Sequence, residues 1–239
     1  MTFVLNFVAR SDRGLVRTNN EDSVYAGPHL LAIADGMGGH AAGEVASKVV
    51  IEALTPLDGQ DPGEDLVGAL REAMRAGNRG IAEQVAADPE LEGMGTTLTG
   101  ILFAGDRLGL INVGDSRTYL VRDQTLSQIT RDQTFVQSLV DEGKITEEEA
   151  QHHPLRSLIL HALTGQDDVE PALSVREAKP GDRYLLCSDG LSDVVVDAEI
   201  AEALSILDPQ AAADRLIELA LRAGGPDNVT VIVADVVEA

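Results

Sequence analysis

Short apolar runs with an aspartate at one end are the feature that most limits how this chain can fold. Runs of this length, set between glycines and polar residues, are typical of buried strands. Four aspartates share the position at the end of such a run: Asp35, Asp115, Asp189 and Asp227. Any one Asp-Gly pair is typical of an ordinary turn. The repetition favours instead a single site to which several strand ends contribute.

Carboxylates gathered at strand ends repel one another unless cations lie between them. Neither a thiolate nor a histidine cluster accompanies these four in the sequence, so the pattern predicts hard, oxygen-preferring cations, Mg²⁺ or Mn²⁺. Two such ions could clamp an in-line displacement at phosphorus, and Arg17 could form a bidentate contact with phosphoryl oxygens. The pattern therefore indicates phosphoester hydrolysis by water. Taken alone, Arg17 also fits an ordinary surface arginine, and Glu21 and Asp22 also fit turn acids.

Composition excludes several classes of protein. A net charge of −22 over 239 residues argues against nucleic acid as a partner, because nucleic-acid-binding domains carry a basic footprint. The single cysteine, Cys187, cannot form an internal disulfide and suits a reducing compartment. It lies inside an apolar run, so we expect it to be buried. No apolar run reaches the about 18 residues of a membrane span, and we expect a cytoplasmic domain that makes no membrane contact itself, within a protein that could carry a membrane anchor elsewhere.

Hydrophobic periodicity predicts a mixed α+β chain forming one domain over residues 1–239. Strands are expected at residues 2–10, 23–26, 30–34, 173–177, 183–187 and 229–237, and helices at residues 43–54 and 64–87. Residues 96–130 are expected to form an antiparallel meander. Residues 131–168 interrupt this pattern with a capping box at Thr146 and Glu149. An insertion of this length is typical of a lid or binding loop.

Other phosphate chemistries fit the sequence poorly. Gly36, Gly38 and Ala41 match the spacing of a dinucleotide-binding fingerprint, but Asp35 would abut the pyrophosphate and no second acidic strand end follows at the expected distance. A P-loop lysine is absent. A thiol phosphatase would need an arginine six residues after its cysteine, where this chain has Asp193.

Six motifs occur in the order found in one known family: RTNNED, ADGMGGHAAGE, GMGTTL, GDSR, the SDGLSD block and GPDNVTVIVA. On these motifs the chain resembles the metal-dependent protein phosphatases of type 2C (PPM), and the resemblance extends from about residue 7 to residue 237. It is strongest toward the actinobacterial members. It implies a four-layer α-β-β-α sandwich, with two mostly antiparallel sheets packed face to face and a metal centre at one end.

The resemblance also implies roles for particular residues. Asp35 is similar to the carboxylate that bridges two metal ions, with the Gly36 carbonyl on the second ion. Asp189 and Asp227 are similar to ligands of the first ion. Glu21 resembles the residue that acts through water on the second ion.

Further residues match other parts of the family's site. Asp22 would orient the groups around the second ion, and Arg17 resembles the phosphate-binding arginine. Asp115, together with Asp189 and with Asp193 as a further candidate, matches a third-metal site. Animal members place a histidine directly after the Asp-Gly pair as a proposed general acid. Here that position is a methionine, and the nearest histidine, His40, is equally well a residue that only begins a helix.

These observations predict a Mn²⁺- or Mg²⁺-dependent protein phosphatase with two ions and a third weaker one. Its expected substrates are phosphoserine and phosphothreonine proteins, including a Ser/Thr kinase whose signalling it reverses. Residues 131–168 resemble the flap beside the active site in this family. We expect a monomer. The alternative is a metal-binding pseudophosphatase that serves as an interaction domain, although such a protein would normally have lost one of the aspartates.

Overall fold

The computed structural model describes residues 3–38, 42–59, 63–166 and 169–239. Its strands are β1 (Phe3–Asp12), β2 (Asp22–Ala26), β3 (Leu30–Met37), β4 (Gly95–Thr96), β5 (Leu98–Ala104), β6 (Arg107–Val113), β7 (Arg117–Arg122), β8 (Thr125–Gln128), β9 (Ala172–Glu177), β10 (Arg183–Cys187) and β11 (Val229–Glu238). Its helices are α1 (Ala42–Leu54), α2 (Leu66–Ala87), α3 (Phe135–Asp141), α4 (Glu147–Gln151), α5 (Asp189–Ser192), α6 (Asp197–Leu204) and α7 (Pro209–Arg222). Two short 3₁₀ turns, Thr55–Gly59 and Pro89–Leu91, flank α2.

The strands form two antiparallel sheets. One has the order β1-β11-β10-β7-β8, and the other has the order β2-β3-β5-β6-β9 with β4 added to β3. The alternation of side chains along β11 shows how the sheets are covered on both faces. Val231 and Val233 pack with the helix-side cluster that includes Leu216 of α7, while Ile232 and Ala234 face the other sheet.

Three apolar layers separate four layers of secondary structure. The first lies between α1–α2 and the sheet containing β3, and it includes Val50 and Met74. The second lies between the two sheets, and it includes Ile33 and Phe103. The third lies between the sheet containing β11 and helices α6–α7. The predicted α-β-β-α sandwich is therefore confirmed.

The prediction of a meander across residues 96–130 is wrong in its pairing. β5 and β6 form a hairpin in one sheet, but β7 pairs with β8 and β10 in the other. The chain changes sheets after Gly114, whose φ of +94° lies in the left-handed region that favours glycine. A Cβ at this position would also overlap the side chain of Thr97. Asp115 therefore lies on the crossing between the two sheets.

The predicted end of the third strand at Ala34 is also wrong. β3 continues to Met37, because Gly36 and Met37 pair with the two residues of β4. Asp35 is therefore held within a paired strand, directly opposite Asp22 on β2. A carboxylate fixed by backbone pairing on both sides is more rigid than one on a loop.

Near its C-terminal end, the segment between β8 and β9 is hydrogen-bonded to β4. Leu163 is fully buried and exchanges two backbone hydrogen bonds with Thr96, at 2.9 and 3.0 Å. The predicted capping box is present at the start of α4: Thr146 Oγ1 accepts the Glu149 N–H, and Glu149 Oε2 accepts the Thr146 N–H. Across the described ranges, no helix is both long and apolar enough to cross a membrane.

Candidate active site

Two carboxylates face each other across the β2–β3 pairing. Asp22 and Asp35 are direct partners in the antiparallel register, an arrangement that is unfavourable for two like charges. Burial and then the charges of Asp22, Asp189 and Asp115 raise the pKa of Asp35 well above its usual value. Four acidic side chains are thus close enough to affect one another's ionisation.

Hydroxyl groups from the opposite sheet hold Asp22 on one side only. Its Oδ2 accepts from Ser188 Oγ at 2.9 Å and from Thr230 Oγ1 at 2.6 Å. Its Oδ1 is buried and has no hydrogen-bond partner. Burial is the main reason why the pKa of Asp22 is raised to about 6, and the two hydroxyl donors oppose that rise. The carboxylate therefore keeps one oxygen available to a further ligand.

The backbone around Asp35 is fixed by two threonines and by close packing of α1. Thr97 Oγ1 accepts the Asp35 N–H at 3.1 Å, and the Asp35 carbonyl accepts from Thr96 Oγ1 at 2.9 Å. Gly36 follows, and a Cβ there would lie 2.6 Å from the Glu21 carbonyl oxygen. Only glycine allows this approach. The Asp35-Gly36 pair is therefore a close-packed junction between β2, β3 and α1, not an ordinary turn.

Asp189 begins the short helix α5, directly after the buried end of β10. Burial and then the charges of Asp115, Asp193 and Asp227 raise its pKa well above the usual value. Asp193 lies at the other end of α5 and is exposed to solvent. Its pKa is raised by desolvation, which the positive charges of Arg117 and Arg156 oppose.

Asp115 is buried, with 8% of its surface exposed. Its Oδ1 has no hydrogen-bond partner. Burial, followed by the charges of Asp132 and Asp193, raises its pKa to about 7. The turn before it is held by Gln133, whose Oε1 accepts the Gly114 N–H and whose N–H donates to the Gly114 carbonyl, both at 2.9 Å.

Asn228 joins the loop that carries Arg17 to the turn that carries Asp227. Its Oδ1 accepts the Glu21 N–H at 2.8 Å, and its Nδ2 donates to the Arg13 and Asn19 carbonyls at 2.9 Å. Both donor positions of this buried amide are occupied, and its oxygen accepts one hydrogen bond. Asn228 therefore fixes the backbone from Arg13 to Glu21 relative to the start of β11.

Arg17 contacts the acidic cluster directly. Its Nη2 donates to Asp227 Oδ2 at 2.6 Å, and the two side chains are 51% and 33% exposed. This hydrogen bond is the main reason why the pKa of Arg17 is raised. At this exposure the ion pair contributes little to stability, so the guanidinium can exchange Asp227 for another anion at low cost.

The donor set fits oxygen-preferring divalent cations. Its functional groups are carboxylates and a carbonyl, and two carboxylate oxygens, Asp22 Oδ1 and Asp115 Oδ1, are buried without partners. Among the residues that the structure describes, no three acidic, histidine or cysteine side chains already converge closely enough to enclose an ion. An ion would favour the ionised carboxylates, because its charge offsets both the burial and the mutual repulsion that now raise their pKa values.

A protein-family comparison assigns residues 17–220 to "Protein phosphatase 2C". The chain belongs to the protein phosphatase 2C family. The family resemblance predicted from the six motifs is therefore confirmed.

Members of the family with high similarity include "Serine/threonine protein phosphatase PstP" of Mycobacterium tuberculosis. It is 68% identical over 238 residues, which cover 100% of this chain and 46% of the relative. This chain thus spans about half the length of that relative. "Serine/threonine phosphatase stp" of Listeria monocytogenes is 36% identical over 95% of this chain and 94% of its own length.

Solved structures agree with this family assignment. The crystal structure of M. tuberculosis PstP/Ppp superposes with a TM-score of 0.97 at 68% identity, covering 98% of this chain and all of that one. The PstP catalytic domain in complex with two manganese ions superposes with a TM-score of 0.94 at 67% identity, covering 99% and 100%. The expected likeness to actinobacterial members of the protein phosphatase 2C family is confirmed.

The structure places most of the predicted site residues at one end of the two sheets. The residues brought together there are Arg17, Glu21, Asp22, Asp35, Gly36, Asp115, Asp189, Asp193 and Asp227. His40 lies outside the described residues. The roles of all these residues as ligands or catalytic groups remain predictions.

Sequence reasoning missed the residues that position these groups. Thr97 accepts the backbone N–H of Asp35, whereas Ser188 and Thr230 donate to the Asp22 carboxylate. Asn228 fixes the Arg17 loop, and Gln133 fixes the turn before Asp115. Asn228 is directly beside a predicted ligand, which could have identified it. The hydroxyl residues look like ordinary strand residues, so nothing in their pattern marks them.

Proposed function

We propose that this chain hydrolyses phosphoserine and phosphothreonine in proteins, using water activated at a binuclear Mn²⁺ or Mg²⁺ centre. The observation that carries the proposal is the group of mutually perturbed carboxylates around Asp35, with Arg17 at its edge. Relatives named as Ser/Thr phosphatases support this reading over a pseudophosphatase. The complete set of strand-end aspartates supports it as well.

In this proposal Asp35 would bridge two ions. Asp189 and Asp227 would be further ligands of the first ion, and the Gly36 carbonyl and a water held by Glu21 would be ligands of the second. Divalent ions at such a site acidify water and neutralise charge on a phosphoryl group. Asp35 is suited to bridging because β3 pairing and Thr97 hold its backbone. A Cβ built on Gly43 would overlap Glu21 Oε2 and would lie 2.8 Å from the Gly36 carbonyl carbon, so the two groups are close enough to serve the same ion.

Asp22 and Asp115 have supporting roles in the proposal. Asp22 orients the groups around the second ion through its free Oδ1, since Ser188 and Thr230 fix its Oδ2. Asp115, with Asp189 and Asp193, would hold a third and looser ion. The exposure of Asp193 favours weaker binding there, because water competes for the same position.

Arg17 binds the phosphoryl group of the substrate in this proposal. Its guanidinium now neutralises Asp227, and a cation at Asp227 would release it. The released group can donate two parallel hydrogen bonds to phosphoryl oxygens. The Arg17 loop keeps its position during this exchange because Asn228 holds the backbone on both sides of it. His40 is retained as a candidate proton donor to the leaving alcohol.

The remaining proposals concern the domain as a whole. We propose that residues 1–239 form one catalytic domain in which residues 131–168 act as a flap that adjusts access of protein substrates. The substrates of the domain would include a Ser/Thr kinase, and the domain would act as a monomer. Arg156, which lies in this segment and exerts its charge on Asp193, supports a role beside the active site.

Three phosphopeptides that differ only in the phosphorylated residue test the proposed function. In Mn²⁺, peptides with phosphothreonine or phosphoserine should release phosphate much faster than the same sequence with phosphotyrosine. An Asp35→Asn variant, which keeps the shape but removes a charge, should be inactive on all three. A protein that folds and binds Mn²⁺ yet hydrolyses none of the peptides would be the pseudophosphatase instead.

A further inference from the structure

A cleft of about 450 Å³ opens beside the acidic cluster. It lies between the segment that contains α3 and α4 and the chain from the end of α5 to the start of α6. Asp115 and Asp193 belong to its lining and also to the candidate active site. Anything bound in the cleft is therefore next to the position proposed for the phosphoryl group.

Part of the floor of this cleft is apolar. Val136 and Val195 line it and are 8% and 3% exposed, so they are set into the core. Val140, Ala150 and Val194 add further aliphatic surface and are half-buried. A hydrated ion would gain nothing from such a floor, whereas a hydrocarbon stem would be removed from water there.

The lining of the cleft carries excess negative charge. Its five carboxylates are Asp115, Asp132, Glu147, Asp193 and Asp197, and its two guanidinium groups are Arg117 and Arg156. Arg117 is already engaged, because it forms a bidentate ion pair with Asp132 and donates to the Tyr119 hydroxyl. Asp115 Oδ1 is buried without a partner. If an ion occupied Asp115 and Asp193, then Glu147 and Asp197 would remain in the lining to meet a second cation. Asp197 Oδ1 accepts only a long hydrogen bond, at 3.4 Å, from the Tyr119 hydroxyl.

We propose that this cleft binds a lysine or arginine side chain of the phosphoprotein substrate, close in sequence to the phosphorylated residue. The inference rests on the proposed phosphatase function, because one substrate must reach both the cleft and the acidic cluster. Lysine and arginine combine an apolar stem with a cationic head. The stem would lie on Val136 and Val195, and the head would meet Asp197 and Glu147. A purely apolar side chain would leave those carboxylates unused.

Three matched phosphothreonine peptides test this proposal on the whole chain in saturating Mn²⁺. They carry lysine, leucine or glutamate at one position, which is moved in turn along the residues flanking the phosphothreonine. At one or more positions kcat/KM should be highest for lysine and lowest for glutamate. Each exposed charge pair should change kcat/KM by about two- to fivefold. Added salt should reduce the preference for lysine. Equal rates for lysine and leucine at every position would overturn the proposal.

Variants that remove charge from the cleft show whether its carboxylates cause the preference for lysine. Asp197→Asn with Glu147→Gln should reduce the lysine-to-glutamate ratio about threefold or more. The matched control is Glu199→Gln with Glu202→Gln, which removes the same charge from an exposed part of α6 outside the cleft. The control should leave the ratio unchanged, and an equal reduction would show that net charge, not the cleft, sets the preference and would overturn the proposal.

A failure of the proposed phosphatase function would give a different result from a failure of the cleft proposal. If the wild-type chain released no phosphate from a small aryl phosphate in Mn²⁺, the phosphatase function itself would be contradicted. If it hydrolysed that compound and all three peptides at equal rates, only the cleft proposal would fail.

Discussion

The metal-free protein should become more stable as the pH falls from 7.5 to 5.5. The pKa is raised to about 7 for Asp115 and to about 6 for Asp22, from an ordinary value of 3.8. Between pH 4 and 7 the folded chain therefore binds more protons than the unfolded chain. Because raised carboxyl pKa values destabilise the ionised fold, the free energy of unfolding increases as pH falls through this window. Asp35 and Asp189 shift in the same direction.

The expected size follows from proton linkage. Lowering the pH from 7.5 to 5.5 should add about 2 kcal/mol through Asp115 and about 1 kcal/mol through Asp22. For a domain of this length each kcal/mol moves the Tm by about 2–4 °C. The total shift should therefore be about 6–12 °C. Both pH values stay above the sequence pI of about 4.4, which limits aggregation.

Scanning calorimetry of the chelator-treated protein measures this shift. An Asp115→Asn variant serves as the matched control, because it keeps the side-chain shape but cannot take up the proton, and its response should be smaller by about 2 kcal/mol. In saturating Mn²⁺ the trend should reverse, since protons then compete with the ions. A metal-free wild-type protein whose Tm falls or stays constant between pH 7.5 and 5.5 would refute the reasoning.

Three substitution experiments test individual roles. Arg17→Ala should raise KM more than it lowers kcat, because ground-state and transition-state contacts to phosphate are lost together; an unchanged KM would make Arg17 an ordinary surface residue. Replacing His153 or Arg156 by alanine should alter rates on phosphoproteins while sparing a small aryl phosphate, and equal losses on both would argue against a flap. Asp35→Asn should abolish Mn²⁺ binding and turnover, whereas Asp115→Ala should keep the tightly bound ions in calorimetry and lower kcat. Full kcat in Asp115→Ala would leave the third ion without support.

Much of the fold could be predicted from local patterns, but the pairing of its strands could not. Apolar runs and capping residues identified most strands and the start of α4, since these signals are local. The crossing from one sheet to the other depends on the left-handed backbone of Gly114 and on its two hydrogen bonds to Gln133. Those contacts join residues that are far apart along the chain, and local periodicity carries no information about them.

The candidate site shows the same division. Aspartates at the ends of apolar runs could be recognised because the same arrangement recurs four times along the chain. Their environment could not be predicted, because Arg17 meets Asp227 and Asp22 meets Thr230 only after the two ends of the chain have come together. The partnerless oxygen of Asp22, which bears most directly on metal binding, is a consequence of that packing.

The requirement for metal tests the central claim most directly. The protein is stripped with chelator, Mn²⁺ is titrated back, and phosphate release from a phosphothreonine peptide is measured together with bound Mn²⁺ per chain. The account predicts no turnover in excess chelator and recovery as two ions bind, with no recovery in Asp35→Asn. Undiminished turnover in excess chelator would contradict it.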